Sequence, residues 1–164
     1  MKNLITNLVT VSAVLVIGLV ISSCSSLQLQ FYDKTQPIEE FTRVNFHKNL
    51  SVATFNDKFL KGGFFKTVVI PAGTQKFEVR YIYIVGNVSY TSDFINIIHE
   101  FEPNRFYYVY PTTANDKVSV HVIDATDITR EELSKMGFYS DRIEIILNER
   151  ADSEEKFRKI GKQN

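Results

Sequence analysis

Between residues 41 and 124, short runs of β-forming residues alternate with Asn, Asp, Gly and Pro. These turn residues recur about every 8 to 12 positions, a spacing typical of an antiparallel β domain. Strands are expected at residues 41–46, 50–55, 66–70, 75–84, 88–91, 94–101, 105–110 and 117–123. We therefore predict a mainly β protein, an antiparallel β-sandwich of about seven to eight strands with one or two C-terminal helices.

The alternation of residues within these strands predicts which faces are buried. Val118, Val120 and Val122 share one face of the last strand, and polar residues occupy the other. One face of the strand at 75–84 is aromatic and aliphatic, whereas the other changes from charged to apolar. The start of this strand is therefore expected to be exposed to solvent and its end to be buried. The strand at 94–101 is apolar on both faces, which predicts a central or covered position.

Beyond the last predicted strand, the apolar positions change to a helical period. Thr129 and Glu132 have the spacing of a capping box and Gly137 is a natural helix end, which together predict a short helix. A second helix is expected to begin after Ser140. A strand at 142–147 is the alternative, but the residues that follow are rich in Glu, Lys and Arg and lack strand formers, which favours the helix.

The amino-terminal segment is a short apolar run. Residues 8–21 follow the positive charge of Lys2 and form a mostly apolar stretch of 14 residues. A membrane-spanning helix needs about 20 such residues. The shorter run is typical of a secretory signal that is inserted and then removed.

The end of this run carries a second pattern. Ile21, Ser22 and Ser23 precede Cys24, and the tetrapeptide resembles the lipobox of bacterial lipoproteins. The resemblance implies cleavage before Cys24, attachment of diacylglycerol to its thiol, and often acylation of the new amino group by a fatty acid such as palmitate. Cys24 is the only cysteine of the chain, so it has no disulfide partner within the molecule. The alternatives are a chance cysteine after an ordinary cleavage site and an uncleaved anchor helix.

These features divide the chain into four parts. Residues 1–23 are the expected signal peptide, 24–37 a lipidated tether, 38–126 the β-sandwich and 127–164 a helical segment. Residues 27–31 alternate apolar and polar side chains and suit an edge strand, but a mostly extended spacer is the preferred interpretation.

Charge excludes some classes of function. The chain has 19 basic and 19 acidic residues, and removal of the signal peptide leaves 18 basic and 19 acidic ones. Such a chain lacks the basic footprint of a nucleic-acid-binding protein. It also lacks the excess positive charge that attaches a protein to anionic lipid.

Two proline turns carry a further resemblance. The segments at 61–65, 68–73 and 76–79 place a strand before a Pro-Ala-Gly turn and a long strand after it, and the segment at 101–109 joins a second turn to an aromatic strand. Over residues 42–124 the pattern resembles the small β-sandwich modules of PEGA type and related bacterial lipoproteins. The resemblance implies a carbohydrate-surface or envelope-interaction module without established catalytic residues, so it identifies no site.

The histidines do not indicate a metal or cofactor site. His47, His99 and His121 stand in separate segments without ligand spacing, and no cofactor motif accompanies them. Because no catalytic grouping is evident, we expect a protein that is not an enzyme. The alternative is an envelope hydrolase whose dispersed site includes His99, Glu100 and Asp124.

Tyrosines are the remaining candidates for partner contacts, because their rings combine an apolar body with a polar tip. Tyr81, Tyr83, Tyr107 and Tyr108 are the possible partner-binding residues, although filling of the core and its rim is the favoured explanation. We therefore expect a membrane-anchored envelope lipoprotein that binds a protein or glycan partner or acts as a scaffold. Its domain is expected outside the cytoplasm, on the cell membrane or, because Ser25 resembles an outer-membrane sorting signal, on the outer membrane.

Overall fold

The computed structural model of the protein describes residues 27–28, 31–33, 35–60 and 67–162. The predicted lipobox with Cys24 lies outside the described residues, as does the segment at 61–66.

The described residues form two five-stranded sheets and three helical segments. The strands are β1 (Leu27–Gln28), β2 (Phe41–Phe46), β3 (Leu50–Phe55), β4 (Lys58–Phe59), β5 (Thr67–Pro71), β6 (Gly73–Val85), β7 (Val88–Thr91), β8 (Ile95–Phe101), β9 (Phe106–Ala114) and β10 (Lys117–Asp124). The helical segments are a 3-10 helix (Ile38–Glu40), α1 (Arg130–Lys135) and α2 (Ser140–Gly161).

The first sheet has the strand order β1-β5-β2-β9-β10, and the second has β4-β3-β6 with both β7 and β8 paired to β6. Most neighbouring strands are antiparallel, whereas β1 with β5 and β2 with β9 are parallel. β6 pairs with β8 along residues 73–79 and with β7 along residues 82–85. The β6–β7 hairpin therefore extends past the end of β8.

The main core lies between the two sheets. The ring of Phe77 from β6 occupies its centre, with ring-centre distances of 5.2 Å to Phe46, 5.0 Å to Phe55 and 6.1 Å to Phe101. Val120 and Val122 pack against this cluster from β10, which is the face predicted for them. Tilted and edge-to-face rings of this kind fill the interior without Trp.

The helices cover the other face of the first sheet. Phe106 and Tyr108 of β9 pack against Leu133 of α1 and against Ile143 and Ile146 of α2. As a result, β2 is covered on both faces and all six of its residues are buried. The protein thus has three layers, in the order second sheet, first sheet and helices.

The predicted fold class is confirmed, since the chain is mainly β with two α-helices, the longer one at the C-terminal end. β2, β3 and β7 have the predicted bounds. β9 runs four residues further than predicted, through Pro111, because β2 ends beside Val109 and only β10 remains as a hydrogen-bonding neighbour. The segment at 142–147 is part of α2, so the strand alternative is wrong.

Two predictions about strand environment are wrong. The first part of β6 is buried and its end is exposed to solvent, because Phe77 and Val79 are buried whereas Tyr83 and Ile84 are exposed. β8 pairs only with β6 among the described strands and leaves Ile98 exposed, so it is an edge strand and not a central one. In both strands, apolar residues lie on a face that no other layer of the described structure covers.

The described residues between 27 and 32 contact the domain, contrary to the preferred extended spacer. Leu27 and Gln28 pair with β5, so the edge-strand alternative for residues 27–31 is observed at these two residues. The ring centre of Phe31 lies 4.4 Å from that of Phe55, and the ring centre of Tyr32 lies 5.0 Å from that of Phe41.

Candidate functional site

Tyr107 and Tyr108 are buried on opposite faces of β9, as the alternation of a regular strand requires. The Tyr107 hydroxyl accepts a hydrogen bond from the backbone N–H of Glu102 at 3.0 Å. Tyr108 packs under the helices, where burial raises its pKa to about 12. Both are core residues, which corrects their assignment as possible partner-binding residues.

Tyr81 and Tyr83 lie on the β6–β7 hairpin. Their rings are stacked, with centres 6.4 Å apart and planes inclined by 14°. Tyr90 of β7 is directly opposite Tyr83 in the hairpin register, so the three side chains share one face. Tyr83 and Tyr90 are exposed and Tyr81 is half-buried, which makes this face available for contacts.

An open cleft of about 1350 Å³ separates the β6–β7 hairpin from the β9–β10 hairpin. We call it the tyrosine cleft, and its walls include Tyr81, Tyr83, Tyr90, Ile95, Thr113 and Val118. Because the two hairpins belong to different sheets, the cleft lies at one end of the sandwich, between the sheets.

The turn residues explain why these hairpins form. Asn115 and Asp116 between β9 and β10 have φ angles of 50° and 59°. Two successive residues in this left-handed region make the type I′ turn that matches the twist of a hairpin. Gly86, with φ of 57°, begins the turn between β6 and β7.

The two walls of the tyrosine cleft differ in charge. Residues 81–92 contain no Asp, Glu, Lys or Arg, so the β6–β7 wall is uncharged. Asp93 borders that wall, and Asp116 and Lys117 stand on the opposite one. Aromatic faces with hydroxyls at their edges suit sugar rings and apolar protein side chains, and a few polar groups at the rim fix orientation.

The residues of the hydrolase alternative have separate structural roles. The His99 ring lies 4.8 Å from Phe101 and 5.5 Å from Tyr107, measured between ring centres. Its neighbour Glu100 projects from the opposite face of β8, where it accepts a hydrogen bond from the hydroxyl of Thr74. Alternation along the strand therefore separates the two side chains.

Asp124, the third member of that set, belongs to the corner after β10. Its carboxylate accepts the backbone N–H of Thr126 at 2.9 Å and lies 3.7 Å from Nε of Arg105. This is the capping role expected of an Asp at a strand end.

The histidines are not brought together as metal ligands. Within the described residues, no group of three or more His, Cys, Asp or Glu side chains has the arrangement of a metal site. His121 hydrogen-bonds Thr112 at 2.8 Å on the β9–β10 hairpin. Burial, with the positive charges of Arg142 and Lys48, lowers the pKa of His47 to about 4.

A second cavity, of about 430 Å³, lies between α2 and the first sheet. Arg43 on its wall is buried, with Nε and Nη1 lacking hydrogen-bond partners and Nη2 donating to the carbonyl of Asn104 at 3.4 Å. Burial lowers the pKa of Arg43, and Glu154 opposes this shift. Side chains of both charge signs line the cavity, so its chemistry selects neither an anion nor a cation.

Arg150 on the same wall has a structural role. Its Nη1 lies 3.1 Å from the carbonyl oxygens of Ala125 and Thr126 and 2.9 Å from that of Ile128. These bonds join α2 to the chain that leaves β10. Sequence analysis did not find this cavity, because Arg43 and α2 are about a hundred residues apart and no local pattern links them.

No family model, curated protein or solved structure matches this chain. The resemblances to lipobox signals and to PEGA-type modules therefore stay predictions. Among the described residues, no helix has the length and apolar character needed to span a bilayer.

Proposed function

We propose that this chain is an envelope lipoprotein, anchored through a lipid on Cys24, whose β-sandwich is a non-catalytic module that binds a protein or glycan partner in the tyrosine cleft. The observation that carries the binding role is the exposed ring of Tyr83, stacked on the half-buried Tyr81 and with the exposed Tyr90 beside it in an open cleft. The anchor rests on the pattern from Lys2 to Cys24.

The cleft has the properties of a contact surface. Tyr83 and Tyr90 are too exposed to contribute much to the core, whereas Tyr81 is half-buried and packs against it. Exposed apolar area of this kind gains free energy when a partner covers it. Tyrosine is also over-represented among the residues that dominate binding energy at interfaces. The hairpin is held by pairing within the sandwich, so little ordering of the backbone is required on binding.

Site-specific crosslinking in living cells tests the binding role. A photo-reactive p-benzoylphenylalanine replaces Tyr83 in one strain and Tyr139 in the control strain. Tyr139 is 82% exposed and precedes α2 on the helical face, so it reports random encounters. We expect a defined adduct from position 83 and none from position 139.

A second substitution connects the adduct to the cleft. Tyr90→Ala in the position-83 strain removes a ring directly opposite and should lower the adduct yield about tenfold. Equal labelling from positions 83 and 139, or a yield that Tyr90→Ala leaves unchanged, contradicts the binding role. Separation of the adduct into protein and glycan components identifies the class of partner.

Mass spectrometry of the mature amino terminus tests the anchor. We expect a chain that begins at Cys24 and carries the mass of a diacylglycerol, and a Cys24→Ser variant that retains its leader. The lipidated chain should fractionate with the cell membrane or the outer membrane. An intact unmodified leader, or freely soluble protein, contradicts the anchor without bearing on the cleft.

A further inference from the structure

The tip of the β6–β7 hairpin presents aliphatic side chains to solvent. Ile84, Val85 and Val88 are 67%, 51% and 53% exposed. They surround the turn at Gly86, within the uncharged segment 81–92. An exposed aliphatic tip in a segment that carries no charge is unusual in a soluble domain and marks a surface that meets another apolar phase.

The tip lies at the end of the sandwich where the chain enters. In the first sheet, Leu27 of β1 is paired with Thr67, which is paired with Asn45, one residue before β2 ends. After the turn that follows β2, the first residue of β3, Leu50, is paired with Tyr81.

The β6–β7 hairpin continues past the level of Leu50 and Tyr81. β6 runs for four residues beyond Tyr81, about 13 Å of strand. The start of β1 and the tip of the hairpin are therefore at the same end of the molecule.

The length of chain before β1 limits where a lipid on Cys24 can attach. Three residue steps separate Cys24 from Leu27, so their Cα atoms are at most about 10 Å apart. A bilayer that holds this lipid must lie close to the entry end of the sandwich. The tip of the hairpin projects from that same end by a comparable distance.

We infer, on the basis of the proposed lipid anchor, that the tip formed by Ile84, Val85 and Val88 rests in the surface of the bilayer that holds Cys24. The aliphatic side chains enter the boundary between headgroups and acyl chains. Tyr83 and Tyr90 follow them along the hairpin at the depth where tyrosine is enriched in membrane proteins. Apolar burial without basic residues is sufficient here, because the acyl chains already hold the protein at the surface.

This contact defines the orientation of the domain. A lipid alone leaves a domain free to rotate about its tether, whereas a lipid and a hairpin tip are two points of attachment. The tyrosine cleft then opens beside the membrane surface, and its partner is bound there and not at the opposite end of the sandwich.

A depth measurement on the full lipidated protein tests the inference. The protein is reconstituted in vesicles of phosphatidylethanolamine and phosphatidylglycerol, with an environment-sensitive NBD dye on Val85→Cys or on Ile84→Cys. Lys58→Cys is the matched control, because Lys58 is exposed in β4 and pairs with Phe55 at the far end of β3. Lipidation blocks the thiol of Cys24, so only the introduced cysteine is labelled.

We expect blue-shifted emission from positions 84 and 85, quenched by doxyl-labelled lipids, and neither effect at position 58. If the NBD dye at both tip positions emits as it does in water, the inference is overturned, while the proposed lipid anchor on Cys24 is unaffected. A blue shift that doxyl lipids do not quench also overturns it, because a protein partner or a second copy then covers the tip. An unmodified Cys24 overturns the anchor and this inference together.

Discussion

The guanidinium carbon of Arg43 lies 4.9 Å from the centre of the Phe157 ring. Arg43 stands in β2 and Phe157 in α2, so this contact joins the first sheet to the helix that covers it. A second ring, that of Phe106, lies 6.0 Å from the same carbon. The charge is thus held against aromatic rings, while Nε and Nη1 have no hydrogen-bond partner.

Substitution of Arg43 by Met should stabilise the protein. Met has a similar length and keeps the contact with Phe157, and it removes two buried donors whose desolvation costs about 1–3 kcal/mol each when unsatisfied. It also removes the long hydrogen bond of 3.4 Å from Nη2 to the carbonyl of Asn104. After the loss of the cation–π contact, we expect the free energy of unfolding to rise by about 1 kcal/mol. Urea unfolding measures the change. Arg43→Lys is the control, and a less stable Arg43→Met protein would contradict the prediction.

The protein should lose stability as the pH falls from the pKa of His47 in the unfolded chain to its lower pKa in the folded protein. The neutral ring accepts the backbone N–H of Asn49 on Nδ1 at 3.1 Å, and burial lowers the pKa to about 4. The unfolded chain binds a proton near pH 6.5 and the folded chain does not, so stability is full above that pH and falls until about pH 4. Because the ring is partly exposed, we expect a loss of about 1 kcal/mol.

Unfolding curves between pH 7 and pH 4 measure this loss. His47→Asn is the matched variant, because its side-chain oxygen can accept the same N–H without titrating. Carboxylates titrate equally in both proteins, so the difference between them isolates His47. A constant difference across this pH range would contradict the assigned pKa.

Local signals were sufficient to predict most of the strands and both helices. Asn56 and Asp57, like Asn115 and Asp116, adopt the positive φ angles expected of hairpin turns. The residues of each turn therefore determine where the adjacent strands end. The predicted capping box at Thr129 is present at the start of α1. These features depend on neighbouring residues alone.

The environment of each strand depended on residues far away in sequence. The apolar face at 82–85 indicates a buried strand, yet no layer extends over it. The tyrosine cleft illustrates the same limit, because the aromatic pattern identified Tyr81 and Tyr83 but gave no reason to prefer them over Tyr107 and Tyr108. Only the layers on both sides of β9 separate the two pairs, because the second sheet covers Tyr107 and the helices cover Tyr108.

Phe77 should be far more important for stability than an exposed phenylalanine. Its ring contacts three others between the sheets, so Phe77→Leu removes aromatic contacts and leaves unfilled volume. We expect a loss of about 1–2 kcal/mol in the free energy of unfolding. Phe59 is 80% exposed, and Phe59→Leu should change stability by less than about 0.5 kcal/mol. Equal effects of the two substitutions would contradict the position of Phe77 in the core.

The capping box of α1 should contribute measurably to stability. The Thr129 hydroxyl accepts the backbone N–H of Glu132 at 3.2 Å, and the Glu132 carboxylate accepts the N–H of Thr129 at 2.8 Å. Thr129→Ala leaves one helix donor without a partner, so we expect a loss of about 1 kcal/mol, and Thr129→Ser should restore most of it.

The pH dependence of this cap has a defined sign. The backbone N–H of Thr129 lowers the pKa of Glu132, so the capping contribution is complete at neutral pH and is lost as the carboxylate becomes protonated below its usual pKa of 4.5. Thermal unfolding at pH 7 and pH 3 should therefore separate wild type from Glu132→Gln at pH 7 by more than at pH 3. An equal separation at the two pH values would mean that the ionised carboxylate does not cap α1, and the Thr129 hydroxyl and the packing of Leu133 would then hold the start of the helix.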